Sequence, residues 1–161
     1  MTNVEQRLQL LEDERAILRT LYTYCHSIDY GLEDQFSDLW CEDATLAFSF
    51  DVAMARTATG LANRSFDGRT EIIEFFRAHT HAPDQYHKHL LLDPRIEVDG
   101  DRATAQTYYI RLDEQLAGPV MSSFGRYIDE LVRSPDGRWR LRSRQGQAEN
   151  RVPNQQLFRP E

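Results

Sequence analysis

Between residues 13 and 30, Leu18, Tyr22, Cys25 and Asp29 recur at steps of four, three and four, beside an adjoining stripe of Ile17, Leu21, Tyr24 and Ile28. That spacing marks an amphipathic helix with one buried face, and Asp29 belongs to the face. The helix is expected to start at about Val4 or Asp13 and to end at Tyr30, where Gly31 supplies a helix-ending residue. Asp29 then sits at the negative end of the helix macrodipole, where a carboxylate is disfavoured and needs a compensating partner. A shorter helix is expected over 33–39, with Phe36, Leu39 and Trp40 on one side, and a strand over 44–50. Residues 51–66 mix Gly, Ala, Asn, Arg and Ser without a firm period and read as a hairpin or a flap. Asp67-Gly68 turns into a third helix over 70–77, with Ile72, Ile73, Phe75 and Phe76 on its apolar side.

From there the pattern becomes β. Stretches 86–98, 103–114, 120–133 and 138–147 are rich in aromatic and branched residues, and turn signals at Asp99-Gly100, Gly118-Pro119 and Pro135-Asp136-Gly137 separate them. Successive antiparallel strands after N-terminal helices indicate an α+β domain, with the helices covering one face of a curved sheet. The 161 residues fit a single domain over 1–150, large enough for a core and a ligand cavity, and 151–161 reads as an extended or disordered arm.

The formal net charge of -7 leaves no basic field for a polyanion, which argues against nucleic acid or an anionic membrane as partner. Neither a leader nor a membrane-length apolar run is evident, so a cytoplasmic protein is expected. Cys25 and Cys41 are too few for a disulfide framework or a zinc knuckle and are read as thiols. The absence of a phosphate-cradling Gly-rich loop and of a nucleophile elbow removes nucleotide-dependent and serine-hydrolase readings.

Alternation over 86–92 places His87, His89 and Leu91 on one side of a strand. If that side faces the first helix, Asp29 can hold one ring nitrogen of His89 and leave the other as a general base. The same pattern also fits a carboxylate bonded to backbone or tyrosine and a satisfied core histidine, and spacing alone does not choose. Arg138, Arg140, Arg142 and Arg144 share one strand parity, opposite Trp139 and Leu141, so Arg144 reaches a pocket only through a bulge or near the strand end. His26 falls on a surface side of its helix. His79, His81, His87 and His89 cluster in sequence, but no acidic residue joins them at ligand spacing, and no metal is expected.

Taken in order, residues 11–40 with Cys41-Glu42-Asp43-Ala44, then His89 six residues before Arg95-Ile96-Glu97-Val98-Asp99-Gly100-Asp101, then Gly125-Arg126-Tyr127-Ile128-Asp129-Glu130, and Asp136-Gly137-Arg138-Trp139 with Arg144, resemble the SnoaL-like family. That family belongs to the superfamily typified by nuclear transport factor 2 and scytalone dehydratase. The resemblance covers about residues 10–147. It implies a cone-shaped NTF2-like barrel, with a strongly bent, mainly antiparallel sheet and about three helices around a pocket, commonly in a homodimer and without cofactor or metal. In members that are dehydratases or dehydrohalogenases, an Asp on the first helix and a His on the central strand form the acid-base pair, which implies Asp29 and His89 here. Tyr24 matches a functional tyrosine of bile-acid dehydratases, and Arg144 an arginine that some members use near the leaving group or developing oxyanion. Scytalone dehydratase carries a second pocket histidine on a later strand, and 124–127 offers none. The resemblance therefore implies a cofactor-independent lyase or isomerase, dehydratase-like or polyketide cyclase-like, acting on an apolar cyclic, polyketide- or steroid-like small molecule. Phe48, Phe50, Phe75, Phe76 and Trp40 would supply apolar wall, and each also fits ordinary core. The alternatives are a non-catalytic small-subunit-like partner of a ring-hydroxylating dioxygenase and a small-molecule-binding module.

Overall fold

The computed structural model describes residues 2–50 and 64–149. Helix α1 (Asn3–Tyr30) opens with a capping box, in which Thr2 Oγ1 accepts from the Glu5 backbone and the Glu5 carboxylate accepts from the Thr2 backbone. Its first turns are exposed, and burial begins at Asp13. From there the buried face runs through Ile17, Leu21, Tyr24, Cys25, Ile28 and Asp29, whereas Tyr22 is exposed. The face is thus centred on the second of the two expected stripes; at about 100° per residue, Tyr22 falls just past its edge while Cys25 and Asp29 stay within it. Gly31 ends the helix in the left-handed conformation, φ 66°.

Helix α2 (Glu33–Asp38) leads directly into β1 (Trp40–Phe50), which starts earlier than expected because Trp40 already pairs with Leu141. A short β2 (Arg64–Asp67) follows, taking the end of the expected flap; its remainder, 51–63, and the expected arm at 151–161 lie outside the described residues. Helix α3 (Arg69–Ala78) precedes four long strands, β3 (His87–Asp99), β4 (Arg102–Asp113), β5 (Val120–Arg133) and β6 (Trp139–Ala148). No helix among the described residues is long and apolar enough to cross a membrane.

The strand order is β2-β1-β6-β5-β4-β3, antiparallel at every step except β1 beside β6, which is parallel. The fold is α+β, a curved, open six-stranded sheet with three helices. Helix α1 lies across the concave face, touching β3 near one edge and β6 further in. Between helices and sheet lies the core, in which Trp40, Phe36, Phe76, Leu46, Leu131 and Leu141 are fully buried.

One irregularity on β6 matters for the site. Leu131 pairs with Leu141 but Glu130 pairs with Ser143, so Arg142 is the extra residue of a bulge. Before it, Trp139 and Leu141 point inward; after it, Arg144, Gly146 and Ala148 do.

Candidate active site

Asp29 reaches β3 from the last turn of α1. Its Oδ1 lies 2.7 Å from His89 Nδ1, and its Oδ2 accepts the His89 backbone N–H at 3.1 Å. Both carboxylate oxygens thus bind one residue, fixing ring and strand together and supplying the compensation that a carboxylate at this helix end requires. His87 Nε2 stands 3.5 Å from the same Oδ1, with its side chain fully buried. Burial lowers the His87 pKa to about 4, with Arg111 and His89 adding in the same direction, so the ring is neutral near pH 7. With Nδ1 held by the carboxylate, His89 keeps Nε2 as its proton acceptor.

His89 lines a cavity of about 170 Å³. Its lining is partly apolar, from Ile28, Phe48 and Phe75, and partly polar, from Tyr109, Arg111, Ser123 and His79. Gly146 makes room for this arrangement, since a Cβ there would lie 2.8 Å from the Phe48 ring and 3.3 Å from that of Tyr127. Of the remaining expected wall residues, Trp40 and Phe76 belong to the core, and the side chain of Phe50 lies outside what is described.

Tyr24 also lines the cavity, and burial raises its pKa well above the usual phenol range, so it is a neutral donor and acceptor. Arg144 sits one layer deeper. The bulge brings it inward, where its Nε and Nη2 bind the two Asp129 oxygens at 2.8 Å each. Its guanidinium lies 4.1 Å from the Tyr24 ring centre and 4.4 Å from that of Tyr127. The structure therefore brings His89 and Tyr24 to one cavity, with Asp29 behind His89 and Arg144 behind Tyr24. His26 is exposed, as its helix position suggests.

Sequence reasoning misses four polar lining residues, His79, Tyr109, Arg111 and Ser123. His79 follows α3 and stands out in the sequence only as a metal-ligand candidate, and Arg111 carries no signal beyond its place on a strand. The register pairs His89 directly with Arg111. The ligand atoms of Asp29, His87 and His89 lie within 4.8 Å of one another, so these three are the group among the described residues that a metal would use. Asp29 Oδ1 is already engaged at 2.7 Å by His89 Nδ1, the contact that a protonated nitrogen makes. A wider depression of about 470 Å³, bordered by Glu97, Arg102, Glu130 and Arg142, contains neither Asp29 nor a histidine.

An open curved sheet under three helices, with a carboxylate-histidine contact between them, defines the class. The chain belongs to the SnoaL-like domain family, whose profile matches residues 9–145. Comparison with curated proteins finds no match. Among solved structures, it is similar to a Mycobacterium tuberculosis protein of unknown function, with 28% identity, a TM-score of 0.71, and 94% of this chain and 79% of that one covered. It is similar also to an NTF2-like protein with a cystatin-like fold from Novosphingobium aromaticivorans, at 24% identity and a TM-score of 0.75, covering 95% and 92%. A third likeness, at 20% identity and a TM-score of 0.69 over 88% and 92%, is to the beta subunit of a protein from the same organism assigned as an aromatic-ring-hydroxylating dioxygenase.

Proposed function

We propose that this SnoaL-like protein is a cofactor-independent lyase or isomerase that removes a proton from carbon in a mostly apolar cyclic molecule. The reading is carried by the 2.7 Å contact of Asp29 with His89 at the wall of a largely apolar cavity. His89 Nε2 takes the proton, Asp29 stabilises the imidazolium that forms, and Tyr24 donates to a carbonyl or leaving oxygen. Arg144 acts through Tyr24, which it contacts face-on. An engineered cavity of about 150 Å³ holds benzene, so about 170 Å³ suits one or two fused rings and is small for a four-ring steroid skeleton. The working form is a homodimer.

Deuterium wash-in tests the chemistry whatever the final product. Cyclic ketones with one or two rings, incubated with the protein in D₂O, should lose their α-hydrogen NMR signals faster than in buffer. His89→Ala and Asp29→Asn should each slow this by roughly a hundredfold or more, and the double variant should be little worse than either. No acceleration across the panel, or full rates in both variants, would sink the proposal.

A second reading draws support from the likeness to the dioxygenase beta subunit: a non-catalytic partner in which the Asp29–His89 pair is structural. Co-purification with a large iron-sulfur subunit, together with no wash-in, would favour it. Retention of a small molecule through purification without turnover would instead favour a binding module.

A further inference from the structure

The polar part of the cavity lining includes a cation, Arg111, that the acid-base pair does not use. His89, Arg111 and Ser123 are successive partners across β3, β4 and β5, a row in which neighbours are about 4.8 Å apart. Arg111 is pinned on two sides. Its Nε donates to Asp113 Oδ1 at 2.8 Å, and its Nη1 lies 3.3 Å from His79 Nε2. His79 Nδ1 stands 2.7 Å from the Thr80 carbonyl and must donate to it, so in the neutral ring Nε2 is the acceptor that Arg111 requires. Nη2 donates to no described residue, and the side chain remains about a quarter accessible at the cavity wall. Beside it, the hydroxyls of Tyr109 and Ser123 are 3.1 Å apart. A guanidinium held by two partners at a cavity wall, with Nη2 unpaired among the described residues, is a preorganised site for negative charge. A single-strand offset from the base suits an oxygen two bonds from the carbon that loses its proton.

We propose that Arg111, positioned by Asp113 and His79, binds the anionic oxygen of the substrate, and that the substrate is an enolisable carbonyl compound on a one- or two-ring skeleton. This rests on the acid-base reading above. His89 Nε2 takes the α-proton, the C–H electron pair becomes the carbon-carbon π bond, and the carbonyl π pair moves to oxygen as an enolate facing Arg111. Nothing is oxidised or reduced, and the proton on His89 returns to carbon or to a leaving group.

A stable phenolate imitates that enolate. The probe is 4-nitrophenolate, read by its absorbance at a pH where it is ionised, with nitrobenzene as the neutral counterpart of similar shape. Wild-type protein should bind the phenolate more tightly than nitrobenzene. Arg111→Gln should weaken phenolate binding about tenfold or more, as expected for loss of a charge-assisted hydrogen bond, and leave nitrobenzene binding in place. Arg111→Lys, which keeps the charge and loses the fork, should fall between. Equal affinity of wild type and Arg111→Gln for the phenolate, or parallel loss of both probes, overturns the subsite. Because wash-in reads His89 and phenolate affinity reads Arg111, failure of one reading is distinguishable from failure of the other.

Discussion

His79 and His87 are both lowered to about pKa 4, chiefly by burial, with the nearby charge of Arg111 working in the same direction. In the unfolded chain each would titrate near the ordinary value of 6.5. Below that pH the unfolded state binds protons that the folded state refuses, so stability contributed by the neutral rings is complete above about 6.5 and is lost as pH falls towards 4. The melting temperature should therefore drop between about pH 7 and pH 4.5, and His87→Gln should flatten the drop. A melting temperature that is constant or rises over that interval would contradict this. Of the two residues that respond, the strand alternation makes His87 conspicuous and no periodic pattern in the sequence does so for His79. Asp29 and His89 can be found by counting, because helical and strand periods put each on an inward face. His79 ends a helix and Arg111 lies near the end of β4; their proximity at 3.3 Å is created by the tertiary fold and leaves no periodic trace.

For β6, local alternation is a poor guide because one extra residue reverses it. Arg138 and Arg140 lie outside and pair with Asp38, whereas Arg144 lies inside and pairs with Asp129 across to β5. This is a fully buried, bidentate pair, and removing one partner leaves an uncompensated charge in the core. Asp129→Asn should accordingly cost about 3–5 kcal/mol in denaturant unfolding. The double variant Asp129→Leu with Arg144→Met, apolar on both strands, should recover most of that loss. A double variant no more stable than Asp129→Asn would show that the strands need the ions themselves. Wash-in by a stable double variant then separates packing from chemistry, since full activity would exclude a catalytic part for Arg144. The helices and long strands were legible because their apolar periods are strong. The parallel contact of β1 with β6 was not, since no local pattern names a partner so far along the chain.

Across the whole molecule, the face of the sheet opposite the cavity is the unusual one. Leu90, Leu92, Tyr108, Met121 and Phe124 are exposed on β3, β4 and β5, a continuous apolar area on a chain of net charge -7. A second copy laid against it is the proposed cover, in an isologous contact. Light scattering at micromolar concentration should give a dimer mass, and Leu90→Glu with Tyr108→Glu should give a monomer; a monomer mass for the wild type removes the claim. The parallel joining of β1 to β6 has its own consequence, and it concerns time. Trp40 meets Leu141 only after α3 and four strands, β2 to β5, have been accommodated between them. Closing so long a loop costs entropy before any contact repays it, and pairings of this kind form slowly. Phe48, the wall that β1 gives to the cavity, can take its place only then, so the pocket comes into being late in folding, after the meander that carries His89 and Arg111 can already have formed.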